Sequence, residues 1–243
     1  MSNSNLTISL NEILFFFTRA GFGVDAPVGI AEDFARSNIW IAQNGFDPSL
    51  CSIKALNNLD NSDSSLAINF EKNSTYSRLY CSEDKLLSAL KASVSCVDWI
   101  EVNGSDSELR ITNVDSPLLV VSAIGASEYV GLKVVWVDQD KSQYQVNFID
   151  NKNWEIISSS SNPIESSCVA DMTISSLESN QEPLKDSNIV KFNLPNEKKK
   201  ILENGVQVKE NWEGIYEYFS RCLVKSNAES RASGAGAGMV DTD

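Results

Sequence analysis

The residues best suited to do chemistry in this chain lie in the stretch ESRASGAGAGMVDTD, residues 229–243. Glu229 and Arg231 stand two apart, so an extended backbone would place both side chains on one face. There they are candidate catalytic groups that could orient a polar substrate, or they form a weak surface pair. Gly234, Gly236 and Gly238 alternate with alanines. Glycine costs conformational entropy, so such a stretch is either left without fixed structure or needed where a Cβ would not fit. One use is a nest of backbone N–H groups around a carboxylate or phosphate, with Ser230 beside it and Arg231 as charge partner. The others are a mobile tail and a strand-like segment pressed against another backbone, within the fold or across a dimer. Asp241, Asp243 and the terminal carboxylate bring oxygen donors together. They form a candidate Mg²⁺ or Ca²⁺ site or simply a solvated acidic end.

Which reactions such groups could serve is limited by what the chain lacks. Among 243 residues there is no histidine. No Ser-His-Asp or Cys-His relay, His-ligated zinc or imidazole acid is available, and proton transfer falls to carboxylates, lysine, tyrosine or thiol. No GxGxxG follows a strand and no Walker loop occurs; Gly21-Phe22-Gly23 lies between two helices, the wrong context for a dinucleotide fingerprint. No cofactor is assigned. A net charge of −13 repels phosphate backbones and anionic lipid surfaces, so neither nucleic acid nor membrane is an expected partner. A small anionic metabolite remains an expected one, because a few arginines in a pocket can reverse the local potential. The five cysteines are widely spaced and free of CxxC pairs, which reads as buried reduced thiols in a cytoplasmic protein. The opening residues carry no secretory signal, and the apolar stretch 117–137 is interrupted by Glu128, Lys133 and two glycines, unlike a membrane span.

These groups need elements to position them. Ser9 and Glu12 form a capping box before a helix over residues 10–20, which ends at Gly21-Phe22-Gly23. Asp25 is the expected cap of a second helix running to residue 44, with Pro27 in its first turn. Its small residues suggest close contact with the first helix. Arg19 on the first helix and Arg36 on the second are candidate ligands for an anion held by the tail. Glu32, at i,i+4 to Arg36, is the partner expected for a surface pair. A third helix is expected over 49–59, a fourth over 82–96, a fifth over 118–129 capped by Ser116, and a last one over 212–224 capped by Asn211. Strands are expected over 133–138, 144–149, 154–158, 168–174 and 189–193, spaced like an antiparallel meander. Tyr76, Arg78 and Tyr80 read as one face of a cross-strand ladder, Cys96 as a core thiol, and Lys198 to Lys200 as a solvated turn. Trp136, Trp154 and Trp212 belong in the core or at an interface.

The two ends of the chain are similar to DUF3726, an uncharacterised bacterial family. The similarity rests on Ser9, Asn11, Glu12, Gly21, Gly23, Gly29, Ala31, Glu32, Ala35, Arg36 and Trp40 at one end. At the other it rests on Glu229, Ser230, Arg231, Gly234, Gly236, Gly238, Asp241 and Asp243. It implies an ordered, functional tail and supplies no reaction. The opening helix pair also resembles that of the malate/L-lactate dehydrogenase family distinct from the Rossmann-type enzymes. That family's Ser-His-Gly signature and its histidine chemistry cannot exist here, so the resemblance implies helices and not the dehydrogenase reaction.

The expectation is therefore one α+β domain over residues 1–243. A helical portion, about residues 1–60, packs on a mainly antiparallel β-rich remainder, and a C-terminal helix leads into the Gly-Ala tail. Two functions stay open. The chain is a small-molecule metabolic enzyme or ligand-binding protein whose tail holds an anionic metabolite, or a non-catalytic subunit whose tail docks into a partner chain or a second copy.

Overall fold

A computed structural model describes residues 6–104, 107–138, 141–159, 169–178, 188–208 and 211–223. Helix α1 (Leu10–Phe22) opens with the expected capping box: the Ser9 hydroxyl accepts from the Glu12 N–H, and the Glu12 carboxylate accepts from the Ser9 N–H at 2.8 Å. It buries Ile13, Phe17, Ala20 and Gly21 against α2 (Val28–Gln43) and α7 (Trp212–Ser220). The two glycines that end α1 are explained by two close approaches. A Cβ on Gly21 would lie 2.8 Å from that of Ala31 on α2, and one on Gly23 would lie 2.1 Å from the Tyr218 carbonyl oxygen on α7.

The cap expected for α2 is displaced. Asp25 sits in a left-handed turn at φ 58°, and Pro27 takes the N-cap position, its carbonyl accepting from the Ala31 N–H. Helix α3 (Ser49–Asp60) falls where expected. The fourth helix does not: Leu86–Leu87 form strand β5, and α4 covers Ala89–Asn103. Tertiary pairing wins over the local capping signal of Ser82 to Asp84, because β5 runs parallel to β6 (Leu109–Val114) and buries Leu87 there. Helix α5 (Pro117–Ala126) is buried along nearly its whole length. Neither Ser116 nor Asn211 makes a side-chain cap bond.

The large sheet runs in the order β11-β9-β8-β7-β10-β6-β4-β3. Strands β7 (Leu132–Val137), β8 (Gln143–Phe148), β9 (Asn153–Ser158) and β11 (Asn188–Asn193) are the expected antiparallel meander; β10 (Ala170–Ser176) inserts between β7 and β6. The junctions β4 to β6, β5 to β6 and β2 (Ser64–Ser65) to β5 are parallel. At the outer edge β3 (Ile68–Lys72) pairs with β4 (Ser77–Cys81), where Arg110 stacks on Tyr76 and Arg78 on Tyr80, the expected ladder. A separate two-stranded sheet joins β1 (Leu6–Ile8) to β12 (Val206–Val208). The three lysines expected in a turn ride instead on α6 (Leu194–Asn204), which Asn193 caps and which has no fully buried side chain.

Helices and sheet meet around Trp40. Its ring lies 5.0 Å from that of Trp154 and fills the space a Cβ on Gly125 would need, 2.3 Å from that Cβ. The Trp154 indole donates to Asn44 Oδ1, at the end of α2. Thus α2 is fastened to β9 on one side and α5 on the other, and α4 packs beside both helices.

Candidate functional site

Helices α2, α4 and α5 do not close completely. Between them lies a cavity of about 190 Å³. From α2 come Asp33, Arg36 and Ser37; from α4, Ser93, Val94, Val97 and Asp98; from α5 and its C-cap, Ala123, Ala126 and Ser127. Arg36 is the one tail-partner candidate that lines it. Its guanidinium reaches Asp33 Oδ1 at 2.6 Å, one residue away from the Glu32 that helical spacing suggested. Asp98 is exposed and has no cationic partner among the described residues.

The hydroxyls are arranged unequally. Ser37 Oγ donates to the Asp33 carbonyl at 3.0 Å and Ser127 Oγ to the Ala123 carbonyl at 2.9 Å, both one turn back on their own helices. Each has used its proton and keeps oxygen lone pairs. Ser93, 4% exposed, has a buried hydroxyl with no hydrogen-bond partner. Val94, Val97, Ala123 and Ala126 supply the apolar wall. The cavity therefore offers the Ser37, Ser127 and Asp98 oxygens as acceptors and the Ser93 hydroxyl around a small greasy surface, with one carboxylate in excess over the Arg36–Asp33 pair.

Arg19 lies elsewhere. Its guanidinium stacks on Phe15, 3.8 Å from the ring centre, and no ion pair with an acidic residue holds it among the described residues. It stands where α7 ends: Cys222 Sγ is 3.1 Å from the Arg19 carbonyl, and Arg221 grips Asp60 with both guanidinium nitrogens, at 2.6 and 3.0 Å, while also donating to the Gly23 carbonyl. The Arg221 hydrogen bond holds the Asp60 carboxyl below its ordinary range. Burial raises the Cys222 thiol, against the pull of the Arg19 charge. The C-termini of α1, α3 and α7 converge here, so their dipoles favour the two arginines. Glu229, Ser230, Arg231, Gly234, Gly236, Gly238, Asp241 and Asp243 lie outside the described residues. Among the described residues no group of three His, Cys, Asp or Glu side chains could hold a metal ion, and no helix is long and apolar enough to cross a membrane.

One further ionisable group is buried. Asp115, at the β6–α5 junction, is 0% exposed; its Oδ1 accepts from the Ala89 N–H at 2.8 Å and so caps α4 from another element. Its Oδ2 faces Ser64 and Asn58 short of hydrogen-bond geometry. Burial pushes the carboxyl up to about 7, opposed by Ala89, Ser64, Asn58 and the Lys54 charge. Of the thiols, Cys51 and Cys96 are buried and pushed up to about 12 by burial, as expected for core cysteines. Cys81 is half-buried and Cys222 exposed, against expectation: both sit at element ends where packing stops. Cys168 lies outside the described residues.

Asp33, Ser93 and Asp98 were not legible as site residues. Only the helical spacing of Ser93, Val94, Val97 and Asp98, which pairs Ser93 with Val97 and Val94 with Asp98 at i,i+4, hinted at a shared face.

No family model and no curated protein matches the chain. Among solved structures it is similar to malate dehydrogenase from Pyrococcus horikoshii OT3 (TM-score 0.61, 8% identity, 93% of this chain and 99% of that one). It is also similar to a dehydrogenase from Sinorhizobium meliloti (TM-score 0.57, 9% identity, 89% and 100%). A third is sulfolactate dehydrogenase from Methanocaldococcus jannaschii (TM-score 0.52, 9% identity, 88% and 96%). At such identities the likeness shows the fold: this chain has the architecture of malate- and sulfolactate-dehydrogenase structures over nearly its full length.

Proposed function

We propose that this chain is a small-molecule-binding protein built on a dehydrogenase-like fold, with the α2–α4–α5 cavity as its ligand site. The observation that carries the reading is the mixed lining of that cavity: a partnerless buried Ser93 hydroxyl, an uncompensated Asp98 and an apolar wall in one recess. Small-molecule sites are concave and largely apolar, with a few convergent polar groups. The dehydrogenase likeness is compatible with a metabolic ligand. It carries no reaction across, since a chain without histidine has no imidazole to move a proton.

The test is a thermal-shift panel of small carboxylates, phosphates, amines and amino acids on the chain and on Ala126→Phe, which plugs the mouth from an exposed position. A ligand of the native state raises apparent stability by mass action. At least one compound should shift the parent and lose that shift in the plugged variant. The proposal fails if no compound shifts the protein or if every shift survives the plug.

A second reading is favoured by Arg19, which has no acidic partner where α7 ends and the chain continues toward Glu229 and Arg231. In it, the backbone of Gly234, Gly236 and Gly238 holds an anionic metabolite with Arg19 and Arg231, and Asp241 and Asp243 are available to a divalent cation. A chain ending at Ser233 should then lose a carboxylate- or phosphate-induced shift that the full chain shows. An equal shift in both removes the tail as the binding element.

A further inference from the structure

If the α2–α4–α5 cavity is a ligand site, as proposed, its lining also selects the class of ligand. We infer that this ligand is a small aliphatic primary amine, bound as the ammonium ion, with the ammonium on Asp98 and the carbon chain on Val94, Val97 and Ala126. Charge, hydrogen-bonding capacity and size each point to this class.

The charge balance comes first. Asp33 and Arg36 neutralise each other at 2.6 Å, which leaves Asp98 as the unmatched charge of the lining. An anion approaching Arg36 would have to share its guanidinium with Asp33 and sit near a second carboxylate. A cation meets Asp98 without breaking anything, in a protein whose net charge of −13 draws cations toward it.

Hydrogen-bonding capacity points the same way. Ser37 and Ser127 have committed their protons to the carbonyls of Asp33 and Ala123, so each offers lone pairs alone. A carboxylate is likewise acceptor-only. Beside the Arg36 guanidinium, paired with Asp33, and the uncommitted Ser93 hydroxyl, the polar lining is made of acceptors, which a donor-rich group complements; an ammonium brings three N–H donors and no acceptor. Ser93, buried and unpartnered, adds a hydroxyl able to accept once an ammonium or its hydration water reaches it.

Size and surface set the rest. At about 190 Å³ the space equals roughly six waters at ~30 Å³ each. That admits an amine of a few carbons. The valine and alanine wall rewards a short alkyl chain over a fully polar cation such as a hydrated metal ion.

The experiment compares butylammonium, butyrate, butanol and tetramethylammonium at fixed ionic strength by thermal shift and calorimetric titration. It uses the full chain, Asp98→Asn and Ala126→Phe. Butylammonium should bind the full chain, with at least tenfold weaker affinity in Asp98→Asn and none in Ala126→Phe. Tetramethylammonium, which has the charge without the N–H donors, should bind at least tenfold more weakly than butylammonium. Asp98 is exposed, so its replacement should leave the unliganded melting temperature close to that of the parent. If butyrate or butanol binds as well as butylammonium and the plug abolishes it, the amine inference is overturned while the ligand site stands. Unchanged butylammonium binding by Asp98→Asn overturns the amine inference in the same way. If nothing in this panel binds, the amine inference falls, and the ligand site falls with it when the wider panel of carboxylates, phosphates and amino acids also leaves the protein unshifted.

Discussion

Replacing Asp115 by asparagine isolates a titration that this sequence leaves unusually open to measurement. Burial lifts the Asp115 carboxyl from its ordinary 3.8 to about 7, so the folded protein holds a proton there that the unfolded chain releases. Between about pH 4 and pH 7 the native state binds more protons than the unfolded one, and stability must fall as the pH rises through that window. Above about 7 both states are ionised and the loss is complete. A gap of about three pH units at ~1.4 kcal/mol per unit makes the full loss about 4 kcal/mol. The asparagine of Asp115→Asn would keep the oxygen that accepts from the Ala89 N–H and abolish the titration. Its amide would face the Asn58 amide, donor against donor, at a cost of about 1 kcal/mol. The variant should thus match the parent to within about 0.5 kcal/mol near pH 4.5 and be about 3 kcal/mol more stable near pH 8.5. Urea denaturation of both proteins across that range measures the difference. With no histidine in the chain, the interval from pH 5 to 7 is free of imidazole titration, which in most proteins would overlay this signal. Parallel pH profiles for parent and variant would refute the claim that the buried carboxyl is held protonated.

Other expectations follow from packing and exposure. Gly23→Ala drives a Cβ into the Tyr218 carbonyl and should cost about 1–3 kcal/mol, with hydrogen exchange in α7 accelerating first. Gly29→Ala, in the first turn of α2 with nothing within 4 Å, should instead be neutral or stabilise by up to ~1 kcal/mol in the same denaturation assay. Phe17→Ala empties a fully buried position between α1 and α2 and should cost about 3–5 kcal/mol. In site-resolved alkylation of the native protein, Cys222 should react well before Cys51 and Cys96, whose thiols become reactive only on unfolding.

Local signals carried much of the fold and little of the site. The Ser9–Glu12 capping box, the glycines closing α1 and the meander strands were readable because each is decided by its own few residues. The start of α4 was not, since Leu86 and Leu87 become strand only when β6 is beside them. Helix α6 was hidden by lysines that suit a solvated helix as well as a solvated turn. Arg36 lines a recess, but its partner is Asp33, chosen by side-chain reach where spacing admits both acids. Asp98 and Ser93 gained meaning only when α4 met α2 and α5. The likeness to dehydrogenase structures spans some nine-tenths of the chain at 8–9% identity. So little shared sequence leaves only the pattern of burial in common, of which the opening helix pair was the legible fragment.

The α2–α4–α5 cavity as a ligand site is tested most directly by methyl-resolved NMR titration. Ala123, Ala126, Val94 and Val97 carry methyl groups on the cavity wall and can be followed one by one as each compound of the small-molecule panel is added. Shifts that saturate together at these four residues and leave methyls such as those of Ala20 and Ile13, buried in α1, unmoved are the predicted result. Wall methyls that stay still with every compound, or that move only in step with the whole protein, would contradict it.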